Sequence, residues 1–279
     1  MKAIIPVAGH GTRLEPHTIH CQKCLLNVAG KPVIEHILDR VVAAGVMDIT
    51  LIIGHLGEQV VNFCSSYTKA KFTFVEQKEQ LGLGHAVHMG LDDSSDPVLI
   101  LLGDSILELD YTAFINNLQS QLGVKPVPDP QRFGIVEIEG ERVIKVIEKP
   151  DNPHSDLALI GIYFISNQGE LNTSIQYLVD RNIRTNNEYQ LTDALQVMID
   201  NGNIFNSFEI DECLDCGIPE TMLSTNKILL GRGAGNSIHK TAKVSNSTLR
   251  SCAIDDGCTV ENSELENVIM LKGSHIADQ

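Results

Sequence analysis

Apolar positions follow one period in some stretches of the chain and another period elsewhere, and each stretch predicts its own kind of element. Residues 3–7, Ala-Ile-Ile-Pro-Val, form a near-continuous apolar run bounded by turn residues, which predicts a buried strand. Helical spacing follows: Val33, Ile34, Ile37, Leu38, Val41 and Val42 share one face, with Lys31-Pro32 opening the helix and Gly45 closing it. The alternation continues through a strand at 49–53, a helix at 56–67, a strand at 72–75, a helix around 84–90 and the very apolar strand 97–102. This βαβα order predicts an α/β fold with a doubly wound, mostly parallel sheet. Ligands of such sheets gather at the C-terminal ends of strands, where Gly9 to Arg13 and Gly103-Asp104 both fall.

The pattern then loosens. Residues 133–138, 143–148 and 159–165 read as strands, with a charged turn at 139–141. Helices follow at 171–179 and 191–201, then a strand at 204–208 and a helix at 219–230. Residues 231–236 form a glycine-rich linker, beyond which Ser, Asn and Thr surround isolated branched apolars. Ile238 and Val244 are six apart, as are Ile254 and Val260, and Cys252 and Cys258; Leu249 breaks the register by one. Hexad spacing predicts a few rungs of a parallel β-helix, against the alternative of a loosely ordered tail. The chain thus divides into residues 1–232 and 233–279.

Composition narrows the partners. With 279 residues, 43% of them hydrophobic, there is material for one or two domains and a sizeable core. No apolar run approaches the ~18 residues of a membrane span, and the first twenty residues lack a secretory apolar region. A cytoplasmic location without a membrane partner is expected. The net charge of −15 argues against nucleic acid or an anionic membrane. An acidic protein that binds a polyphosphate must also concentrate its cations locally or recruit a divalent metal. The seven cysteines are odd in number and no export signal precedes them, so free thiols are expected rather than a disulfide framework. Cys21-x-x-Cys24 and Cys213-x-x-Cys216 have zinc-like spacing, with His17 and His20 beside the first, but a four-thiolate site would require both pairs to converge.

The densest candidate chemistry follows the first strand, in Gly9-His10-Gly11-Thr12-Arg13, with Lys23 ten residues on. Glycines admit an anion close to the backbone, and the N–H groups of such a loop form an anion-binding concavity. Arg13 adds a planar, multiply donating cation and Lys23 a mobile point charge. The same residues also fit a tight turn with one surface arginine. Neither a dinucleotide fingerprint nor a P-loop is present, because Leu14 stands where the third glycine would fall and no Gly-Lys-Ser/Thr follows.

Further segments fit one template. PVAGHGTRLEPHT followed by QKCLLNV, then EQKEQLGLGHAV, LLGDSIL, RFGIVEI, VIEKPDNPHSDLALIGIYFI, NEYQLTDAL and LDCGIPETMLSTNKILL occur in the order found in the sugar-1-phosphate nucleotidyltransferases. The chain resembles that family over nearly its whole length. It is most similar to the long-form glucose-1-phosphate thymidylyltransferases, and its wording also resembles the bacterial UTP–glucose-1-phosphate uridylyltransferases. The resemblance implies a Rossmann-like nucleotidyltransferase domain followed by a short left-handed hexapeptide-repeat β-helix. It also implies that a sugar 1-phosphate attacks the α-phosphorus of an NTP, dTTP or UTP, and expels pyrophosphate.

Site residues carry over by motif. Arg13 would hold the leaving pyrophosphate, Lys23 the reacting phosphates and Lys149 the sugar phosphate. Asp104 and Asp215 would bind Mg²⁺, which suits carboxylate and phosphate oxygens together. Ala8, Gly9, Gly11, Thr12, Gln77 and Gly82 would form the nucleotide slot, the Gln77 amide facing the imide edge of uracil or thymine. Gly134, Glu148, Gly161, Tyr163 and Glu188 would meet the sugar, although Tyr163 fits a core position equally well. Each residue has a plain alternative, such as a surface lysine or a loop carboxylate. Several positions depart from the family pattern: Gln22 and Asn27 replace usual prolines, His10 replaces a small or apolar residue, and Cys213 replaces an aromatic. A shortened β-helix would leave an end that a second subunit could cover, so a homo-oligomer is expected. The competing readings are a non-catalytic regulatory subunit of the same fold and an enzyme using CTP or GTP.

Overall fold

The computed structural model describes residues 1–233 and 235–279. Packing divides the chain into two compact units. One comprises Met1–Gly9, Asp39–Gly103 and Leu107–Cys213; the other comprises His10–Leu38, Asp104–Ile106 and Leu214–Gln279.

The first unit is built on a nine-stranded sheet. Its strands are β1 (Lys2–Pro6), β2 (Asp48–Ile53), β3 (Lys71–Glu76), β4 (Val98–Leu101), β5 (Ser120–Pro126), β6 (Gly134–Glu139), β7 (Arg142–Glu148), β8 (Leu157–Ile165) and β9 (Phe205–Glu209). They lie in the order β3-β2-β1-β4-β8-β5-β9-β7-β6. The strands of the alternating first stretch, β1 to β4, pair in parallel. The other half does not. β8 runs antiparallel to β4 and β5, and β7 antiparallel to β9 and β6, while β9 is parallel to β5. The sheet is therefore mixed rather than mostly parallel. For β6 and β7 the cause is connection length: a tight turn at Gly140 (φ +63°) is too short for the crossover that a parallel pair needs.

Continuous apolar strands are explained by burial on both faces. Ile4, Ile52, Val98, Ile100, Leu122, Val136 and Phe205 share a core with Leu171 and Ile175 of the helix Gln168–Asp180 and with Leu195 and Met198 of the helix Leu191–Asp200. Strand β5 was absent from the sequence reading. Another correction concerns Lys31-Pro32, which does not open the helix. It pairs antiparallel with Asn27–Val28 through a turn at Ala29 (φ +51°) and Gly30 (φ +86°), and the helix starts at Val33.

In the second unit, Ser237–Ile238 stacks in parallel on Ala253–Ile254, which stacks on Ile269–Met270. Lys243–Ser245, Thr259–Glu261 and His275–Ala277 form a second parallel stack, and Thr248–Arg250 with Glu264–Glu266 a third. Partners are 16 residues apart, as the ladder bond from Asn246 Nδ2 to Asn262 Oδ1 (2.9 Å) also shows. This is the pairing that a parallel β-helix requires. The repeat is not a strict hexad. Val244, Leu249, Ile254, Val260, Leu265 and Met270 are separated by five, five, six, five and five residues, so the slip at Leu249 belongs to the pattern. Corners recur at the same interval with positive φ, at Gly235, Ser251 and Asn267 and at Asn246, Asn262 and Asp278. Asn226, fully buried on the helix Pro219–Gly231, joins the parts of this unit: its Oδ1 accepts the Ala29 N–H (2.9 Å) and its Nδ2 donates to Ser251 O (3.1 Å). No helix among the described residues is long and apolar enough to cross a membrane.

Candidate active site

Three charged candidates of the second unit, Lys23, Asp104 and Asp215, come together. Gly11 sits in the left-handed region (φ +71°), and its carbonyl closes the loop by accepting from Leu14 N (2.9 Å) and Thr18 Oγ1 (2.9 Å). A Cβ at Gly11 would lie 3.0 Å from the Lys23 Cβ, so the glycine allows the loop to pack on the lysine. Lys23 opens a short 3₁₀ turn, Lys23–Leu25. The unusual Gln22 is buried there and caps the turn, its Oε1 accepting from Cys24 N (2.6 Å). Lys23 Nζ is thereby held 2.6 Å from Asp104 Oδ2. Thr12 and Arg13 are exposed on the neighbouring turn.

Asp104 and Asp215 are joined through the backbone, because Cys216 N donates to Asp104 O (2.9 Å). The Asp215 carboxylate is fixed from two sides, by Gly217 N (3.0 Å) and Thr221 Oγ1 (2.7 Å), and Thr225 Oγ1 donates to its carbonyl (2.9 Å). Gly217 has to lack a side chain, since a Cβ would lie 2.9 Å from Asp215 Oδ1. The buried Cys216 thiol between them is pushed up to about 12, first by desolvation and then by the Asp215 charge. These residues fit a hard divalent cation: the donors are carboxylate oxygens with lone pairs to spare, and two carboxylates against one ammonium leave a negative excess. None of the seven cysteines is in a disulfide, and no group of three or more His, Cys, Asp or Glu suited to a metal occurs among the described residues.

The first unit carries the remaining candidates in two clusters. In one, Gln77 is buried and its backbone N donates to Ile53 O (2.8 Å). Its side-chain Nε2 lies 3.0 Å from His85 Nδ1 and 3.4 Å from Gly82 O. Gly82 (φ +109°) abuts the segment of Glu188: a Cβ there would lie 2.7 Å from the Glu188 Cβ, and Tyr189 N–H and C=O bond Leu81 O and Gly84 N, each at 2.8 Å. Glu188 is exposed beside a tight turn whose central residues, Asn186 and Asn187, both have positive φ. The Ala8 carbonyl, expected to complete the base slot, already accepts from His55 N (3.2 Å) and Gln80 Nε2 (3.1 Å), while Gly9 is exposed with nothing within 4 Å of its Cβ position.

In the other cluster, Gly134 pairs with Glu148, and a Cβ on it would crowd Glu148 Oε2 and Thr192 Oγ1, each at 3.1 Å. Thr192 Oγ1 donates to Glu148 Oε2 (2.7 Å), and Lys149 Nζ lies 3.3 Å from Glu148 Oε1. Lys149 itself has positive φ (+42°) although proline follows it, and its N–H bonds Phe133 O (3.0 Å). Gly161 (φ +86°) marks an irregularity in β8, where a Cβ would meet Leu102 Cδ1 at 2.7 Å. Tyr163 belongs to the core cluster and burial raises its pKa. Sequence reading missed Gln22, Thr192 and Thr221. Thr192 and Thr221 reach their candidates through space and Gln22 caps the turn of Lys23, contacts that no sequence spacing marks.

A sequence model described as nucleotidyl transferase matches residues 2–231. The chain belongs to the nucleotidyl transferase family. Members typically use a divalent metal. It is 32% identical over 237 residues to the bifunctional protein GlmU of Methanococcus vannielii, a match covering 82% of this chain and 55% of that relative. The chain thus spans about half the length of that protein. It is 31% identical over 292 residues to a glucose-1-phosphate thymidylyltransferase of Streptomyces antibioticus, covering all of this chain and 80% of that one. A candidate glucose-1-phosphate thymidylyltransferase from Bacillus anthracis, solved with a sucrose, superposes with a TM-score of 0.72 at 27% identity, over 82% of this chain and 94% of that one.

Proposed function

We propose that the protein forms an NDP-sugar and pyrophosphate from UTP or dTTP and a sugar 1-phosphate, with glucose 1-phosphate the first candidate. The observation that carries this reading is the cluster of Lys23, Asp104 and Asp215, in which an ammonium is held against one of two linked carboxylates. The new bond joins a sugar-phosphate oxygen to the α-phosphorus, and the bond that breaks is the α–β anhydride, whose electrons leave with pyrophosphate. The attacking phosphate is already anionic, so no general base is required. The protein's task is to position two anions that repel each other and to stabilise charge on the leaving group.

Asp104 and Asp215 would hold Mg²⁺, which supplies charge neutralisation to the triphosphate when bound. Lys23 neutralises Asp104 and turns to the phosphates when an anion arrives. Arg13, exposed on its turn, offers a planar fork to the pyrophosphate. Lys149 neutralises the sugar phosphate, and Glu148 and Glu188 accept from sugar hydroxyls. Gln77 and Gly82 line the base slot, with backbone at Gly9, Gly11 and Thr12 along the phosphates. The test is a panel of NTPs against sugar 1-phosphates with Mg²⁺, scored as phosphate after pyrophosphatase. Turnover is expected with UTP or dTTP; no turnover with any pair sinks the reading.

A further inference from the structure

The Gln77 side chain is an ambiguous reader. A primary amide presents a donor at one end and an acceptor at the other, and a free amide that rotates by half a turn exchanges them. Discrimination between pyrimidine bases depends on which end faces the ligand. Uracil and thymine carry N–H at position 3, whereas cytosine carries a lone pair there.

Two groups remove the ambiguity here. The Gly82 carbonyl, 3.4 Å from the Gln77 nitrogen, can only accept. His85 Nδ1 lies 3.0 Å from the same nitrogen, the shorter of the two contacts. Burial, and then the neighbouring His88, lowers the His85 pKa, while Glu79 opposes them. The ring is therefore neutral near pH 7, and a neutral ring can present a bare Nδ1. With the ring proton on Nε2, the NH₂ group is directed at two acceptors and Gln77 Oε1 is left as its end for a ligand. We propose that His85, which contacts no reacting atom, is the residue that sets base selectivity, by pinning the Gln77 amide so that it accepts from the N3–H of uracil or thymine and repels cytosine.

This inference rests on the nucleotidyltransferase reading and is separable from it. Selectivity is measured as the ratio of kcat/KM for UTP or dTTP to that for CTP, with glucose 1-phosphate and Mg²⁺. His85→Leu keeps similar bulk and removes the acceptor, so the ratio is expected to fall by about tenfold or more, the effect of one mispaired buried polar group. His85→Asn places an oxygen acceptor near the Nδ1 position and should retain most of the wild-type ratio. A general packing role would instead lower activity with all nucleotides and leave the ratio unchanged, which overturns the proposal. So does a wild type that prefers CTP. Absence of wild-type turnover with every nucleotide strikes the activity reading instead. A measurement on the wild type alone covers the case in which the leucine variant does not fold. The ¹⁵N shift of His85 Nδ1 should report an unprotonated, hydrogen-bonded nitrogen at pH 7, and a protonated Nδ1 overturns the proposal.

Discussion

Lys23 faces Asp104 at 2.6 Å with both side chains only partly exposed, so the ammonium is oriented before any anion arrives. Asp215 is oriented differently, by the neutral donors Gly217 N and Thr221 Oγ1, which leave its charge uncompensated. The two carboxylates are therefore held unequally: one faces a cation of the protein and the other accepts from neutral donors. Asp104→Asn and Asp215→Asn should each lower kcat about 100-fold or more, because interactions with the developing charge act mainly on the transition state. Steady-state kinetics with circular dichroism as a folding control checks this; near wild-type kcat in both variants would remove these residues from the reaction. The acidic pair was legible as motif letters. Thr221, Thr192 and Gln22 were not, because a hydroxyl or amide that orients another side chain has no spacing rule of its own.

At the scale of elements, β5 shows why part of the sheet was hidden. Its sequence, Ser-Gln-Leu-Gly-Val-Lys-Pro, mixes polar residues, a glycine and a proline, each of which argues against a central strand. Yet Ser120 and Gln121 are buried, and the strand lies between β8 and β9. Gly123 gives the physical reason: a Cβ there would lie 2.3 Å from Ile162 Cγ2 and 3.2 Å from Ile162 O, so close approach of β8 requires a missing side chain. Gly123→Val should destabilise the protein by about 3 kcal/mol or more, at the upper end of overpacking effects. Chemical denaturation would register this as a lower midpoint at unchanged slope, and an unchanged midpoint would contradict the packing. The strands β1 to β4 were legible for the opposite reason. In β1, β2 and β4 nearly every residue is buried and apolar, while the edge strand β3 keeps alternating aromatic residues, and helices of regular period separate the strands.

For the whole molecule, the net charge of −15 shrinks toward zero as the pH falls to about 5, so acid sensitivity is set by particular carboxylate pairs. Asp92 is held down to about 2, chiefly by its hydrogen bond from Lys2 at the start of β1, then by Ser94. Its folded value lies below the unfolded one, so its contribution is present above about pH 4 and is lost as the pH falls from there toward 2. The carboxylate is largely exposed, so solvent screening limits the contribution to about 0.5 kcal/mol. Asp92→Asn should reduce the acid dependence of thermal stability by that amount between pH 4 and 2; an identical pH profile would contradict it.

Parallel pairing at a 16-residue interval governs how this protein's length can change. Each repeat presents to the next the same backbone edge and a corner of the same geometry, from Asn246 to Asn262 to Asp278. Length in this region is therefore quantised. A tandem duplication of residues 247–262 adds one whole turn and returns every later side chain to its original face. An insertion of four residues rotates Val260, Leu265 and Met270 away from the interior they share. The duplicated protein should melt at or above the wild-type temperature, and the four-residue insertion well below it. Equal melting of the two would mean that the stack has no fixed unit of growth.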